Sequence, residues 1–136
     1  MIYERLIQIE FNHCDPAGIV FYPRYFEMTN SVVENFFADV VGRSFAQMHL
    51  QGGAGVPTAR LEANFRAPSR LGEKVTFGLE LHRVGGSSVN LTITARLGDE
   101  VRMVAEITLV WVEGLKAAPW PEDMRRRMVE FMEAKA

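Results

Sequence analysis

The sequence predicts an α+β fold in which an antiparallel sheet wraps around one long apolar helix and a short helix closes the chain. Three observations support this prediction. One alternating segment near the start of the chain is followed by a single, wide apolar pattern of helical period. Alternation then returns, with glycine turns between its segments, and a last helical pattern ends the sequence. A sheet that buries one face against one enclosed helix satisfies all three patterns.

The first two elements precede Gly42. Residues 3–12 place Ile7, Ile9 and Phe11 on one face, which predicts the first strand. From Pro23 the apolar residues recur at steps of three and four until Gly42, which predicts a helix. Its apolar positions are Tyr25, Met28, Thr29, Val32, Val33, Phe36, Phe37, Val40 and Val41. A stripe this wide indicates a helix that the rest of the domain encloses.

Strands follow a loop that contains Gly52, Gly53, Gly55 and Pro57, and we expect four antiparallel strands in this part of the chain. Two of them bury alternate residues, with glycine turns at Gly85-Gly86 and Gly98-Asp99 that predict hairpins. The buried positions are Val75, Phe77, Leu79 and Leu81 in one strand and Val89, Leu91, Ile93, Ala95 and Leu97 in the other.

Residues 101–112 form a further predicted strand, and its odd positions are apolar from Val101 to Trp111. Its opposite face is also partly apolar, through Val104, Val110 and Val112, which indicates contact with another subunit. The last predicted element is a helix from about Pro121. Its apolar stripe, which we interpret as packing, consists of Met124, Met128, Phe131 and Met132.

Size and composition limit the classes of function. The chain has 136 residues, of which 48% are hydrophobic, so we expect one domain over residues 1–136. The formal net charge of −2, with acids and bases mixed, argues against nucleic-acid and membrane partners. The single cysteine excludes an internal disulfide, and the N-terminus does not resemble a signal peptide. We therefore expect a soluble cytoplasmic protein.

Several catalytic patterns are missing from the sequence. There is no Gly-x-Ser-x-Gly elbow and no phosphate loop, and Gly53-Ala54-Gly55 lacks the third glycine of a dinucleotide fingerprint. His13, His49 and His82 lie on separate elements without the paired spacing of metal ligands. The sequence therefore predicts neither a metal site nor a cofactor.

The junction between the first strand and the long helix carries the candidate chemistry. Asp15-Pro16-Ala17-Gly18 has the residue preferences of a type I turn, and a turn alone would explain it. Pro23, however, predicts a helix start, and the amides around Tyr22 to Phe26 should then be unpaired and aimed toward Asp15. A carboxylate facing such amides suits acyl transfer from a thioester, whose thiolate leaves without a dedicated acid. Cys14 is interpreted as a small packed thiol.

The eleven residues Asp15-Pro16-Ala17-Gly18-Ile19-Val20-Phe21-Tyr22-Pro23-Arg24-Tyr25 resemble the active-site motif of the 4-hydroxybenzoyl-CoA thioesterase family, whose members have the hotdog fold. The resemblance implies hydrolysis of an acyl-CoA thioester to the free acid and CoA. It makes Asp15 the catalytic nucleophile or general base and the backbone amide of Tyr22 the group that polarises the thioester carbonyl. Related thioesterases carry histidine at the position of Pro23, so the resemblance favours an aryl substrate.

The resemblance also implies substrate contacts and assembly. Within the motif, we expect Gly18, Pro23 and Tyr25 to contact the substrate. For the phosphorylated tail of CoA, the candidates are Arg66, Arg70, Lys74, Arg83 and the turn Gly85-Gly86-Ser87-Ser88, although a solvated charge on a strand edge is the simpler interpretation of each arginine. Hotdog proteins place the substrate between two subunits, so a homodimer or homotetramer is expected. A hotdog enoyl-CoA hydratase and a non-catalytic acyl-CoA binding module remain the alternatives.

Overall fold

The computed structural model describes residues 1–135 and contains one large sheet, one small sheet and two main helices. The strands are β1 (Ile2–Gln8), β2 (Ala54–Gly55), β3 (Thr58–Phe65), β4 (Lys74–Val84), β5 (Ser88–Leu97), β6 (Glu100–Val110), β7 (Val112–Glu113) and β8 (Lys116–Ala117). The helices are α1 (Arg24–Phe36) and α2 (Glu122–Glu133). The large sheet has five strands in the order β1-β4-β5-β6-β3, and all its neighbours are antiparallel, as predicted.

The strand register divides the loops between two ends of the large sheet. At the end that leads to Asp15, Gln8 pairs with Lys74, and Phe65 pairs with Met103. At the opposite end, Val84 pairs with Val89, Ser88 with Val110, and Thr58 with Leu109. We call these the Asp15 end and the Ser88 end. Strand β4 runs from one to the other, a distance of about 33 Å for ten steps of an extended strand.

Helix α1 packs its apolar stripe against the sheet, and the prediction of an enclosed helix is confirmed. Its residues Tyr25, Met28, Thr29, Val32, Val33 and Phe36 are buried, together with Phe37 and Val41 of the wider turn Phe37–Val41 that continues it. The helix ends at Gly42, where φ is +89°. Glycine is needed there for the backbone angle, since the atom nearest to an added Cβ, at 1.8 Å, belongs to the Arg127 guanidinium, the movable end of a flexible side chain.

Helix α2 closes the core from the Ser88 end. Met124, Met128 and Phe131 are buried, and the Phe131 ring lies 5.2 Å from that of Phe36. The predicted start near Pro121 and the packing role of this stripe are confirmed. A sheet wrapped around one buried helix is the hotdog arrangement, so the predicted α+β class is confirmed as well. Neither helix is long and apolar enough to cross a membrane within the described part of the chain.

The prediction for the first strand was wrong at its end. Strand β1 stops at Gln8, and residues Phe11–His13 form a single 3₁₀ turn. The turn is stabilised by the Glu10 backbone amide, which donates to His13 Nδ1 at 2.8 Å. Ile9 is still fully buried, but the Phe11 side chain is 83% exposed, because the turn takes it off the strand face.

Two further expectations needed correction. The glycine-containing loop before β3 includes a short helical segment, Gln47–Gly52, that the pattern did not predict. The strand predicted over residues 101–112 is interrupted at Trp111, after which the chain leaves the large sheet and pairs Val112 with Gly55 in the small one. The Trp111 ring lies in the core against Trp120, at 5.7 Å between ring centres, on the face that the alternation predicted to be buried.

Candidate active site

Asp15 lies on a short loop that folds back on itself like a small hairpin. The Phe21 amide donates to the His13 carbonyl at 2.9 Å, and Cys14 and Val20 form an antiparallel bridge. Closer to the tip, the Asp15 amide donates to the Ile19 carbonyl at 3.0 Å. The loop therefore has a defined conformation, although it carries no regular secondary structure.

The tip of this loop is a hydrogen-bonded turn, as the sequence predicted. The Gly18 amide donates to the Asp15 carbonyl at 2.9 Å. Position 18 requires glycine because its φ is +78°, in the left-handed region. Asp15 Oδ1 accepts a hydrogen bond from the Ala17 amide at 2.9 Å, whereas Oδ2 accepts none from residues 1–135. One carboxylate oxygen fixes the side chain, and the other is free to react. The turn and a reactive carboxylate are therefore compatible.

The start of α1 follows directly from this loop. The sequence predicted free amides from Tyr22 to Phe26, and this prediction was too broad. The amides of Arg24, Tyr25 and Phe26 donate to carbonyls three residues earlier, at 2.8 to 3.1 Å, since the first turn is tight. The Tyr22 amide has no hydrogen-bond acceptor within residues 1–135, and Pro23 has no amide hydrogen to offer. Of the amides from Tyr22 to Phe26, only that of Tyr22 is therefore free to donate to a ligand, and Tyr22 is the residue whose amide the motif implies.

A cleft of about 290 Å³ opens beside Tyr22. Its walls are mostly apolar and consist of Ile19, Val20, Tyr22, Tyr25, Phe65, Arg66, Ala67 and Pro68. The Phe65 ring is the centre of an aromatic group, with ring centres 5.9 Å from Tyr22, 5.7 Å from Tyr25 and 6.2 Å from Phe26. Phe65 was not predicted as a site residue. The apolar residues Leu61, Ala63 and Phe65 alternate along β3, but alternation does not show that the end of this strand lies beside Tyr22.

The predicted site residues fall into two groups. Gly18, Pro23, Tyr25, Arg66 and Arg70 lie near Asp15 and Tyr22 at the Asp15 end, as does Lys74. The Tyr25 side chain is 4% exposed, so only part of its ring reaches the cleft. The guanidinium groups of Arg66 and Arg70 are exposed, and neither has a hydrogen-bond partner in the part of the chain that the structure describes.

Arg83, Ser87 and Ser88 lie at the Ser88 end, so within one chain the structure separates them from Asp15 by roughly the length of β4. The backbone of this turn holds the fold together. The Ser87 carbonyl accepts from the Trp111 amide at 2.8 Å, and the Ser88 carbonyl accepts from the Trp120 indole at 3.0 Å.

A buried polar network supports the Asp15 loop, and no pattern in the sequence predicted it. Arg102 donates to both carboxylate oxygens of Glu73, at 2.8 and 3.3 Å, and to the Pro68 carbonyl at 2.9 Å. Its Nε lies 2.6 Å from a Glu100 carboxylate oxygen, without hydrogen-bond alignment. The Arg102 guanidinium lowers the pKa of Glu73. Ser69 joins this network to Tyr25, whose hydroxyl donates to Ser69 Oγ at 2.8 Å, and burial raises the pKa of that tyrosine.

Other reactive side chains near the loop have different surroundings. Cys14 packs against the hydrophobic core, as predicted, and burial together with the Asp15 charge raises its thiol pKa. A raised pKa keeps the thiol protonated and therefore a poor nucleophile. The Nδ1 atom of His13 accepts a hydrogen bond from the Glu10 backbone amide. No group of side chains within residues 1–135 has the composition of a metal site.

Comparisons with known proteins identify the family and the fold. A family model described as the thioesterase-like superfamily matches residues 9–128. No curated protein gave a significant match. Among solved structures, a 1,4-dihydroxy-2-naphthoyl-CoA thioesterase from Synechocystis is similar, with a TM-score of 0.87 and 15% identity over 98% of this chain and 100% of that one.

Two further solved structures have the same fold. A gentisyl-coenzyme A thioesterase has a TM-score of 0.83 and 22% identity over 90% of this chain and 99% of that one. A Staphylococcus aureus protein in complex with CoA has a TM-score of 0.88 and 12% identity over 98% of this chain and 85% of that one. With the family model covering most of its length, the chain belongs to the thioesterase-like superfamily.

Proposed function

We propose that the protein hydrolyses acyl-CoA thioesters, with Asp15 as nucleophile or general base and the Tyr22 amide as the donor to the thioester oxygen. One observation carries this proposal. A single loop, fixed by its own backbone hydrogen bonds, presents a free carboxylate oxygen and then, at the start of a buried helix, a free backbone amide. A donor aimed at developing negative charge is among the largest contributions to catalysis of acyl transfer.

Two routes lead to the same products. In the first, Asp15 Oδ2 attacks the thioester carbon, CoA leaves as the thiolate, and water then hydrolyses the mixed anhydride. In the second, Asp15 accepts a proton from water while the water oxygen attacks, and CoA again leaves as the thiolate. In both, one water is consumed for each free acid and CoA formed. The Tyr22 amide stabilises the negative oxygen of the tetrahedral intermediate in either route.

The substrate class we propose is an aryl-CoA, as in the 4-hydroxybenzoyl-CoA type within the superfamily. The aromatic group around Phe65 supports it, because a flat ring packs well between the edges and faces of other rings. Two of the similar structures are named for aromatic acyl groups, gentisyl and 1,4-dihydroxy-2-naphthoyl.

Binding of the CoA tail is proposed for Arg66 and Arg70. Both are exposed at the Asp15 end, and their guanidinium groups have no partner among the described residues. Unpaired guanidinium groups bind phosphate oxygens in a bidentate geometry. The similarity to a protein solved with CoA supports the same ligand here.

A second copy of the chain completes the site in this proposal. Strand β3 is an edge of the sheet with eight residues and a free row of backbone groups. Such an edge readily pairs with a copy of itself. Antiparallel pairing of two β3 strands would bring the Thr58 end of one beside the Phe65 end of the other, and with it the Ser88 end of the partner. Light scattering should give a dimer or tetramer, and an active monomer would contradict this arrangement.

The catalytic assignment is tested by Asp15→Asn. The side-chain oxygen of asparagine still accepts the hydrogen bond from the Ala17 backbone amide, so the turn and the melting temperature should be preserved. It neither attacks a carbonyl nor accepts a proton, so kcat for an aryl-CoA should fall at least ~100-fold. CoA binding, measured by calorimetry, should stay within about twofold of wild type, because the arginines are unchanged.

Other outcomes of this experiment favour the alternatives. A variant that keeps more than about a tenth of wild-type kcat would show that Asp15 is not the catalytic group. A wild type that binds acyl-CoA without releasing thiol would be a binding module. Conversion of an enoyl-CoA to its hydroxyacyl product would indicate a hydratase.

A further inference from the structure

Arg102 is an unusual residue for the core of this molecule. Among residues 1–135, three polar side chains are buried, namely Thr29, Ser69 and Arg102, and only the last is charged. Burial of a charge costs several kcal/mol, and an apolar side chain of similar volume is often as stabilising as a buried ion pair. Packing alone therefore does not account for a guanidinium at this position, and its partners become informative.

All the hydrogen-bond acceptors of the Arg102 side chain lie between β3 and β4. They are the Pro68 carbonyl at 2.9 Å, the Ser69 hydroxyl at 3.4 Å and the two Glu73 carboxylate oxygens. The backbone of Arg102 holds the same segment, since its carbonyl accepts from the Arg66 amide at 2.9 Å. Arg102 thus fixes residues 66–73 onto the beginning of β6.

Residues 69–73 in turn hold the loop that carries Asp15. The Ser69 carbonyl accepts from the Val20 amide at 2.8 Å, and the Leu71 amide donates to the Gly18 carbonyl at 3.1 Å. Between these two contacts, Ile19 and Arg70 form an antiparallel bridge. The Arg70 amide also donates to Glu73 Oε1 at 2.6 Å, the same oxygen that Arg102 contacts.

A second connection leads from Ser69 to the start of α1. Ser69 Oγ accepts from the Tyr25 hydroxyl at 2.8 Å, and the Tyr25 amide donates to the Tyr22 carbonyl at 3.1 Å. Ser69 therefore contacts the Asp15 loop through its backbone and the first turn of α1 through its side chain. These two segments carry the free carboxylate and the free amide.

We propose that Arg102 is a positioning residue, which through Ser69 and Glu73 fixes the Asp15 carboxylate relative to the Tyr22 amide. The inference rests on the proposed function, because it assigns the network to the geometry of that site. A guanidinium suits the role, since its planar fork bonds a carbonyl, a hydroxyl and a carboxylate at once, whereas an ammonium group cannot reproduce these directions.

The test compares three variants of the full-length protein. Arg102→Lys keeps the charge but loses the fork, and Ser69→Ala removes the hydroxyl that connects the two segments and keeps the backbone. Met128→Ala is the control, because it destabilises a fully buried position on α2, away from the loop. All three should lower the melting temperature. Assays are run below the lowest of the three transitions.

We expect kcat to fall about 10- to 100-fold in Arg102→Lys and about tenfold in Ser69→Ala, because small displacements of reacting groups have effects of this size. KM should stay within about twofold, and the midpoint of the acidic limb of the pH profile should be unchanged. Met128→Ala should keep wild-type kcat. Wild-type kcat in both network variants, an equal loss in the Met128 variant, or a shifted midpoint at unchanged maximal kcat would overturn the proposal.

A second readout does not depend on activity. Amide hydrogen exchange at Val20 and Leu71, whose hydrogen bonds tie the two segments together, should be faster in Arg102→Lys and Ser69→Ala than in Met128→Ala. If the wild type hydrolyses no thioester but exchange responds in this way, the proposed function fails and the structural link stands. If exchange at these amides is unchanged, the positioning role is wrong whatever the activity.

Discussion

The two ends of the sheet differ in whether their polar groups have hydrogen-bond partners within the chain. At the Ser88 end, the four carbonyls of residues 85–88 all accept hydrogen bonds, from Arg125, Trp120, Trp111 and Gly85. At the Asp15 end, one oxygen of Asp15, the Tyr22 amide and the guanidinium groups of Arg66 and Arg70 have no partner within residues 1–135. Backbone groups that pair within the chain stabilise the fold, whereas those left unpaired are available to a ligand.

The difference shows where each end is rigid. Aromatic rings fill the Ser88 end, with Trp120 stacked on Phe37 at 6.2 Å. The Asp15 end contains the buried Arg102 network beneath a loop whose outer groups are free. A site of this kind has reactive groups at its surface and the hydrogen bonds that orient them one layer below. Arg83 is the exception at the Ser88 end, because its exposed guanidinium also has no partner in the described chain.

Among the variants that test the difference between the two ends, the largest expected effect is on CoA binding. Replacing Arg66 and Arg70 together by methionine should raise KM about tenfold with kcat little changed, because two exposed charge contacts contribute up to ~1 kcal/mol each. Steady-state kinetics at low salt measures this change. Arg83→Met is the matched variant at the other end. An equal rise in KM there would show that both ends contact one ligand, as β3 pairing between two copies allows.

A smaller effect tests the role of the Ser88 end in stability. Trp120→Phe removes the indole donor to the Ser88 carbonyl and should cost about 1 kcal/mol. For a chain of this length, that corresponds to a melting temperature lower by roughly 2 to 6 °C, which calorimetry resolves. Values of kcat and KM should stay at wild-type levels below the transition. A loss of kcat without a loss of stability would remove the distinction between the two ends.

The smallest expected effect is at Cys14, which precedes the proposed catalytic residue Asp15. Cys14→Ala should leave kcat within about twofold of wild type, because the thiol packs against the core and its raised pKa keeps it protonated. The matched comparison is Asp15→Asn, measured in the same assay. A folded Cys14 variant with a loss of kcat as large as that of the Asp15 variant would make the thiol the nucleophile.

The main elements of the fold could be predicted because their patterns are periodic. Alternation in β4, β5 and β6 and the wide stripe of α1 each follow from one buried face. The end of β1 could not be predicted, since the turn after it is stabilised by a contact between the Glu10 amide and the His13 side chain, which periodicity does not reveal. Trp111 was correctly expected to be buried, but not to end its strand.

The candidate site could be predicted only where its residues are close together in the sequence. Asp15, Gly18 and Tyr22 lie within one continuous motif, so one resemblance identified them together. Arg102 occupies a position that simple alternation would place on the exposed face, and a register shift between Ala95 and Arg96, opposite the start of β6, accompanies its burial. Its partners are separated from it by 29 to 34 residues, and such contacts have no signature in a single sequence.

The most direct test of the central claim is the rate at which the purified protein releases thiol from four CoA thioesters. Benzoyl-, 4-hydroxybenzoyl-, acetyl- and hexanoyl-CoA are compared at one pH and one salt concentration. We expect hydrolysis, with kcat/KM for the two aryl substrates ten- to a hundredfold above that for acetyl-CoA, since a well-fitted ring contributes ~1 to 3 kcal/mol. Equal or reversed preference would contradict the aryl substrate alone. No thiol release from any of the four would contradict the assignment of this site to thioester hydrolysis.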